Sequence, residues 1–169
     1  PFSDGNLAVE ALRKGEVDVA ALWDPFGSVQ EKTGNFRVIL DISKDEPFAG
    51  KYCCFLYASE KLLKEKPEQV AALLRAYRAA QNWISENPEE AVDIIISGKY
   101  AQIEDRELAI KLIKSYQYPS YAEREKNKTQ VRDNVFYFAD QLNQIGYLKT
   151  DPDAFTNDAY VEVDINLGS

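Results

Sequence analysis

EALRKGEVDVAALWDPF, residues Glu10 to Phe26, joins a helical pattern to a strand pattern within one short segment. Leu7, Ala8, Ala11 and Leu12 recur at helical spacing, and Gly15 is placed to end that helix in the left-handed conformation. Val17, Val19, Ala21 and Trp23 then alternate with Asp18, Ala20 and Leu22, which is the two-residue period of a strand. Pro25 lacks the N–H that a sheet ladder needs, so the predicted strand ends near Asp24. Helix followed at once by strand predicts an α/β fold. In open α/β sheets ligands sit beyond the carboxyl ends of strands, which makes Trp23 and Asp24 the first place to seek a binding site.

Outward from this segment the chain reads as a short α/β front and a long helical back. Residues 36–42, FRVILDI, form a second apolar strand-like run, and residues 52–58 a third, rich in aromatics. Between them DEPFAGK, residues 45–51, is a loop punctuated by Pro and Gly. From Ser59 onward the pattern turns helical, with Val70, Leu73, Leu74, Tyr77, Ala80 and Ile84 on one apolar stripe. Asn87, Pro88 and Glu90 predict a capped restart of a helix. Leu108, Leu112, Ile113 and Tyr116 mark another helix, and Val131, Val135, Phe138, Leu142 and Ile145 one more, closed by Gly146. Asp151 and Pro152 open a last short turn before a strand-like tail at 160–165. Nearly continuous apolar strands suit a parallel sheet covered on both faces, and such a sheet needs more strands than are counted here. Partner strands are expected from a missing N-terminal portion or from another chain.

Composition removes several classes of function. The 169 residues fit one domain or parts of two, and the 45% hydrophobic fraction is that of an ordinary globular protein. No apolar run approaches the roughly 18 residues that cross a bilayer. A net charge of −8, with no Lys/Arg cluster, argues against nucleic acid, whose phosphates call for a basic face. Histidine is absent, which removes the usual general base and the commonest metal ligand. Methionine is absent too, so a removed leader or a longer parent protein is expected. Cys53 and Cys54 are adjacent, without the spacing of metal or redox pairs, and read as two small buried hydrophobes. Asp45–Glu46, Glu89–Glu90 and Glu104–Asp105 lack the spacing of a calcium loop, and the last two pairs suit helix N-termini. Neither a metal nor a cofactor is expected.

Three segments resemble the second half of an extracytoplasmic solute-binding protein of ABC importers, in the nitrate/sulfonate/taurine/bicarbonate and thiamine-precursor (NMT1/THI5-like) group. They are ALRKGEVDVAALWDPF, KYCCFLYASEKLLKEKPEQVAALLRAYRAAQNWISENPEEA and FADQLNQIGYLKTDPDAFTNDAYVEVD, and they follow one another in the family's order. The resemblance implies an α/β, periplasmic-binding-protein-like (type II) fold, helix-rich because only its C-terminal part is here. Residues 1–35 would end the second lobe, 36–48 would hold the crossover or hinge, and 49–169 would rejoin the first lobe. The implied function is capture of a small anionic or heterocyclic solute and its delivery to a membrane permease. The implied setting is periplasmic or extracellular and membrane-anchored.

The chemistry on offer is recognition rather than reaction. A solute site needs an apolar wall and a few placed polar groups. Trp23 and Phe26 are the candidate wall, with core packing as the plain alternative for Trp23. Asp24 either accepts from a ligand or caps the helix starting near Pro25. Lys51, the one cation of its loop, either pairs with an anion or is simply solvated, and Tyr52 either offers its hydroxyl or packs. YQYPSY, residues 116–121, is either an aromatic platform or a cover for helix ends.

Two other functions compete with the receptor. LLRAYRAAQNWISENPEEAVDIII is similar to a tetratricopeptide helix pair, which points to a protein-interaction module, although no second copy follows at a fixed spacing. The thiamine-precursor branch also holds enzymes, whose chemistry, by that resemblance, uses the histidine this chain lacks.

Overall fold

The computed structural model of the protein describes residues 4–52, 54–127 and 129–168, apart from the side chains of Tyr121, Ala122 and Glu125. Among the described residues the regular structure is helical: α1 Gly5–Lys14, α2 Phe26–Lys32, α3 Glu60–Glu65, α4 Pro67–Glu86, α5 Pro88–Ser97, α6 Arg106–Ser115, α7 Tyr121–Lys126, α8 Gln130–Gln144 and α9 Pro152–Ala159. No strand or sheet occurs among them. The expected α/β, type II binding-protein-like fold is therefore overturned for this chain. Apolar alternation prepares a segment for a sheet, but a strand exists only when a neighbour completes its N–H···O=C ladder. The described residues of 17–23, 36–42, 52–58 and 160–165 find no such neighbour and run as irregular chain. Val19, Val38, Ile39, Leu40, Leu56 and Val161 are consequently exposed.

Helix boundaries follow local chemistry closely. The Asp4 carboxylate accepts the Asn6 N–H at 2.6 Å to start α1, and Gly15 at φ 71° lets the N–H groups past its end reach the carbonyls of Ala11 and Leu12. Ser59, Asp105 and Asp151 cap α3, α6 and α9 through the N–H groups of Leu62, Leu108 and Ala154, at 3.2, 3.0 and 3.0 Å. Two expectations are corrected. Asn87 stands at the N-cap of α5, but its side chain donates backwards to the Trp83 carbonyl at 3.0 Å and caps nothing. A true capping box lies instead at α7, where Ser120 and Glu123 each satisfy the other's backbone N–H.

The chain divides into two compact units. Pro1–Asp41 and Asn82–Tyr118 make the first; Ile42–Gln81 and Pro119–Ser169 make the second. In the first, α1 packs on α2 and α5 on α6. Val92, Ile103 and Ala109 are its buried centre, and Val29 of α2 packs on them with Ile96, Leu108 and Leu112. The Arg106 guanidinium forks onto Asp93 at 2.7 and 3.1 Å, joining α5 to α6, and Lys114 meets Glu89 at 3.5 Å.

In the second unit α8 packs on α9. Thr156 is fully buried, and its hydroxyl donates to the Pro152 carbonyl at 2.7 Å, while Arg132 reaches Asn157 at 2.7 Å. Arg75 of α4 holds the chain's tail by donating to the carbonyls of Ile165 and Leu167. Cys54 is exposed rather than buried, contrary to expectation; Cys53 lies outside the described residues.

Candidate functional site

The first unit carries the corner at Trp23, Asp24 and Phe26. α2 begins just after Pro25, which stands at its N-cap with φ −89° and has no N–H to leave unpaired, and Val29 one turn on is drawn to the α5–α6 core. The ring of Phe26 lies against Gly5, where an added Cβ would sit 2.7 Å from it, so the first turns of α1 and α2 approach closely only because residue 5 has no side chain. Trp23 meets Phe26 edge to face, with ring centroids 5.4 Å apart, and remains 62% exposed. The core-packing alternative for Trp23 is thus not what the structure shows.

Asp24 is exposed, and its two described partners are hydroxyls. Ser28 donates to Oδ1 at 2.6 Å from one turn along α2, and the Tyr116 hydroxyl donates to Oδ2 at 3.4 Å from the end of α6. No backbone N–H of α2 is capped by it, so the capping alternative gives way to a pair of hydroxyl contacts. Below the corner Lys32 pairs with Asp105, and the ammonium hydrogen bond, followed by the Leu108 N–H, holds the Asp105 carboxyl below its ordinary pKa. A hollow of about 220 Å³ lies here, lined by Val29, Lys32, Thr33, Asp105 and Leu108.

The second unit carries Lys51 and Tyr52. Phe48 meets the Tyr137 ring edge to face at 6.5 Å, and the Lys51 ammonium sits 4.5 Å above the centroid of that ring. The Tyr52 N–H donates to Oδ1 of buried Asn134 at 2.5 Å. The loop is thereby fastened along α8. The Tyr137 hydroxyl is buried, with no hydrogen-bond partner among the described residues. Nearby, a hollow of about 330 Å³ is lined by polar side chains of α7, α8 and the turn between them, Asn127, Gln130, Asp133 and Asn134 among them.

Ser28, Asn134 and Tyr137 are not among the candidates read from the sequence, and Tyr116 enters them only as part of the YQYPSY run. Ser28 lies four residues beyond Asp24, a spacing that signals one helical turn, and Tyr116 opens the YQYPSY run. Asn134 and Tyr137 carry no such signal, because nothing local links them to residues 48–52. Among the described residues there is no cluster of three or more His, Cys, Asp or Glu side chains that could hold a metal ion. No helix among them is long and apolar enough to cross a membrane.

Comparison with known families matches a model described as NMT1/THI5 like to residues 3–91, just over half of the chain. Trp23, Asp24, Phe26, Lys51 and Tyr52 all fall inside that span. No curated protein and no solved structure matches the chain.

Proposed function

The chain belongs to the NMT1/THI5-like family, and on that footing we propose that it is the solute-binding component of an ABC importer, capturing a small anionic or heterocyclic molecule and passing it to a membrane permease. Membership by itself assigns a solute-binding or related function. The observation that carries the finer reading is the Trp23–Asp24 corner. An aromatic ring left open to solvent stands beside a carboxylate whose partners are hydroxyls that a ligand can replace. Binding rather than catalysis is the role proposed, because the sequence has no histidine to move a proton near neutral pH. The proposed setting is periplasmic or extracellular at the membrane. An interaction module of the tetratricopeptide kind is less well supported. Its two helices would be α4 and α5, and no second copy of their pattern follows at a fixed spacing.

Thermal unfolding against a panel of nitrate, bicarbonate, sulfonates and nitrogen heterocycles tests the proposal. A compound that binds only the folded chain stabilises it by about 2.7 kcal/mol at a hundredfold excess over its Kd. A rise in midpoint with one class supports the receptor. A cooperative transition that no compound moves would count against it.

A further inference from the structure

We infer that the solute taken at the Trp23–Asp24 corner is a flat organic cation bearing N–H donors, and not an inorganic or sulfonate anion. The inference rests on the reading of this corner as a solute site and narrows the chemistry it accepts. The polar anchor is a carboxylate, which offers only acceptor lone pairs and negative charge. An anion placed there meets repulsion at close range, in a chain already at −8. Of the described cations of α1 and α2, Lys14 is paired with Glu10 and Lys32 with Asp105, and Arg13 donates to Gln30 at 2.8 Å rather than to Asp24.

A donor fares better. The Tyr116 hydroxyl bond to Oδ2 is 3.4 Å long, well beyond the usual O–H···O distance, so an incoming N–H⁺ at normal length gains more than it displaces. Ser28 holds Oδ1 at 2.6 Å and keeps the carboxylate oriented while Oδ2 is engaged. The indole of Trp23 supplies the second half of the recognition, since its ring face attracts a cation and stacks with a flat apolar frame. Amidinium and protonated amino-heterocycle groups combine these properties.

Benzamidine and benzenesulfonate share a ring and differ in charge, and they make the test direct. In a Trp83→Phe background Trp23 is the one remaining tryptophan, so its emission reports the corner alone. Benzamidine is expected to change Trp23 emission with an affinity at least about tenfold above benzenesulfonate. Asp24→Asn is expected to abolish that preference, while Asp18→Asn, an exposed carboxylate elsewhere, leaves it intact and so excludes a general effect of net charge. Tyr116→Phe, which removes the competing donor, is expected to hold or raise benzamidine affinity, with circular dichroism confirming that each variant folds. Benzenesulfonate binding better than benzamidine overturns the inference while leaving the receptor reading standing. A benzamidine preference surviving in Asp24→Asn overturns it as well. If neither compound perturbs Trp23, the inference falls, and the thermal panel separately decides whether the receptor reading falls with it.

Discussion

The corner at Trp23–Asp24 and the loop at Phe48–Tyr52 hold the same kinds of side chain, an aromatic beside a charge, yet the structure uses them in opposite ways. At the corner the indole is exposed and the carboxylate meets only hydroxyls, one of them at a long distance. In the loop the ammonium lies on the ring of Tyr137, and the backbone beside it is bonded to a buried amide. A charge that has satisfied itself inside the protein is fastening; a charge at the surface with one oxygen held only by a long hydroxyl bond is available. Sequence alone ranks Asp24 and Lys51 together as candidates, and their surroundings separate them.

The contrast is broken most forcefully through the core beneath the corner. Ile103 is buried with Val92 and Ala109, and Val29 ties α2 to that cluster. Ile103→Ala is expected to cost about 2–5 kcal/mol, the usual range for removing a buried aliphatic side chain without full collapse of the cavity. Denaturant unfolding should show the loss, and Trp23 emission should shift because α2 loses its seat. An unchanged midpoint would mean that the α5–α6 core does not support the corner.

The loop offers three changes, one of them opposite in sign to the other two. Asn134→Ala leaves the Tyr52 N–H without its acceptor, and a cost of about 1–3 kcal/mol is expected in the same measurement. Tyr137→Phe removes a buried hydroxyl that has no partner among the described residues while keeping the ring under Lys51, so stability is expected to rise, by on the order of 1 kcal/mol. A fall instead would show that the hydroxyl is satisfied in solution. Lys51→Gln keeps much of the side chain and loses the cation on the ring; a cost of about 0.5–1 kcal/mol is expected, with no change in solute affinity. Loss of binding there would return Lys51 to the site and dissolve the contrast between loop and corner.

What could be read in advance was local. Gly15 and Asp151 announce helix ends because a cap is a matter of one residue and the backbone groups within a turn of it, while Asn87, read the same way, turns its side chain back to Trp83. The packing stripes were read less well: Val70 is buried, but Leu73 and Tyr77 of the same stripe are exposed, as is Leu7 of α1. The failure lay in the strands. Residues 36–42 satisfy every local rule for a strand, and still Val38, Ile39 and Leu40 face solvent, since pairing is decided by a neighbour that one segment cannot specify. The site shows the same division. Trp23, Phe26 and Ser28 are within one turn of Asp24, whereas Tyr116, Asn134 and Tyr137 reach their partners only through the fold.

The smallest effect expected is also the one that isolates charge in the first unit. Hydrogen bonds from Arg106 to Asp93, and from Lys32 to Asp105, hold both carboxyls below their ordinary pKa. In the unfolded chain the same groups take up protons around pH 3.9, roughly the unperturbed value for Asp. As pH falls past that point the unfolded state binds protons that the folded state still refuses, so folding loses stability until the folded carboxyls are protonated too. The contribution is therefore complete above the unfolded value and absent below the folded one. Asp93→Asn and Asp105→Asn should each flatten the acid limb of the stability curve through a loss at neutral pH that vanishes once the folded carboxyls would be protonated, a small loss because these exposed pairs are screened by water and salt. Raising the ionic strength should mimic the substitutions. If the acid limb keeps its slope in the double variant, carboxylates outside the α2–α5–α6 cluster set the acid sensitivity, and the charges around the corner act on the solute rather than on the fold.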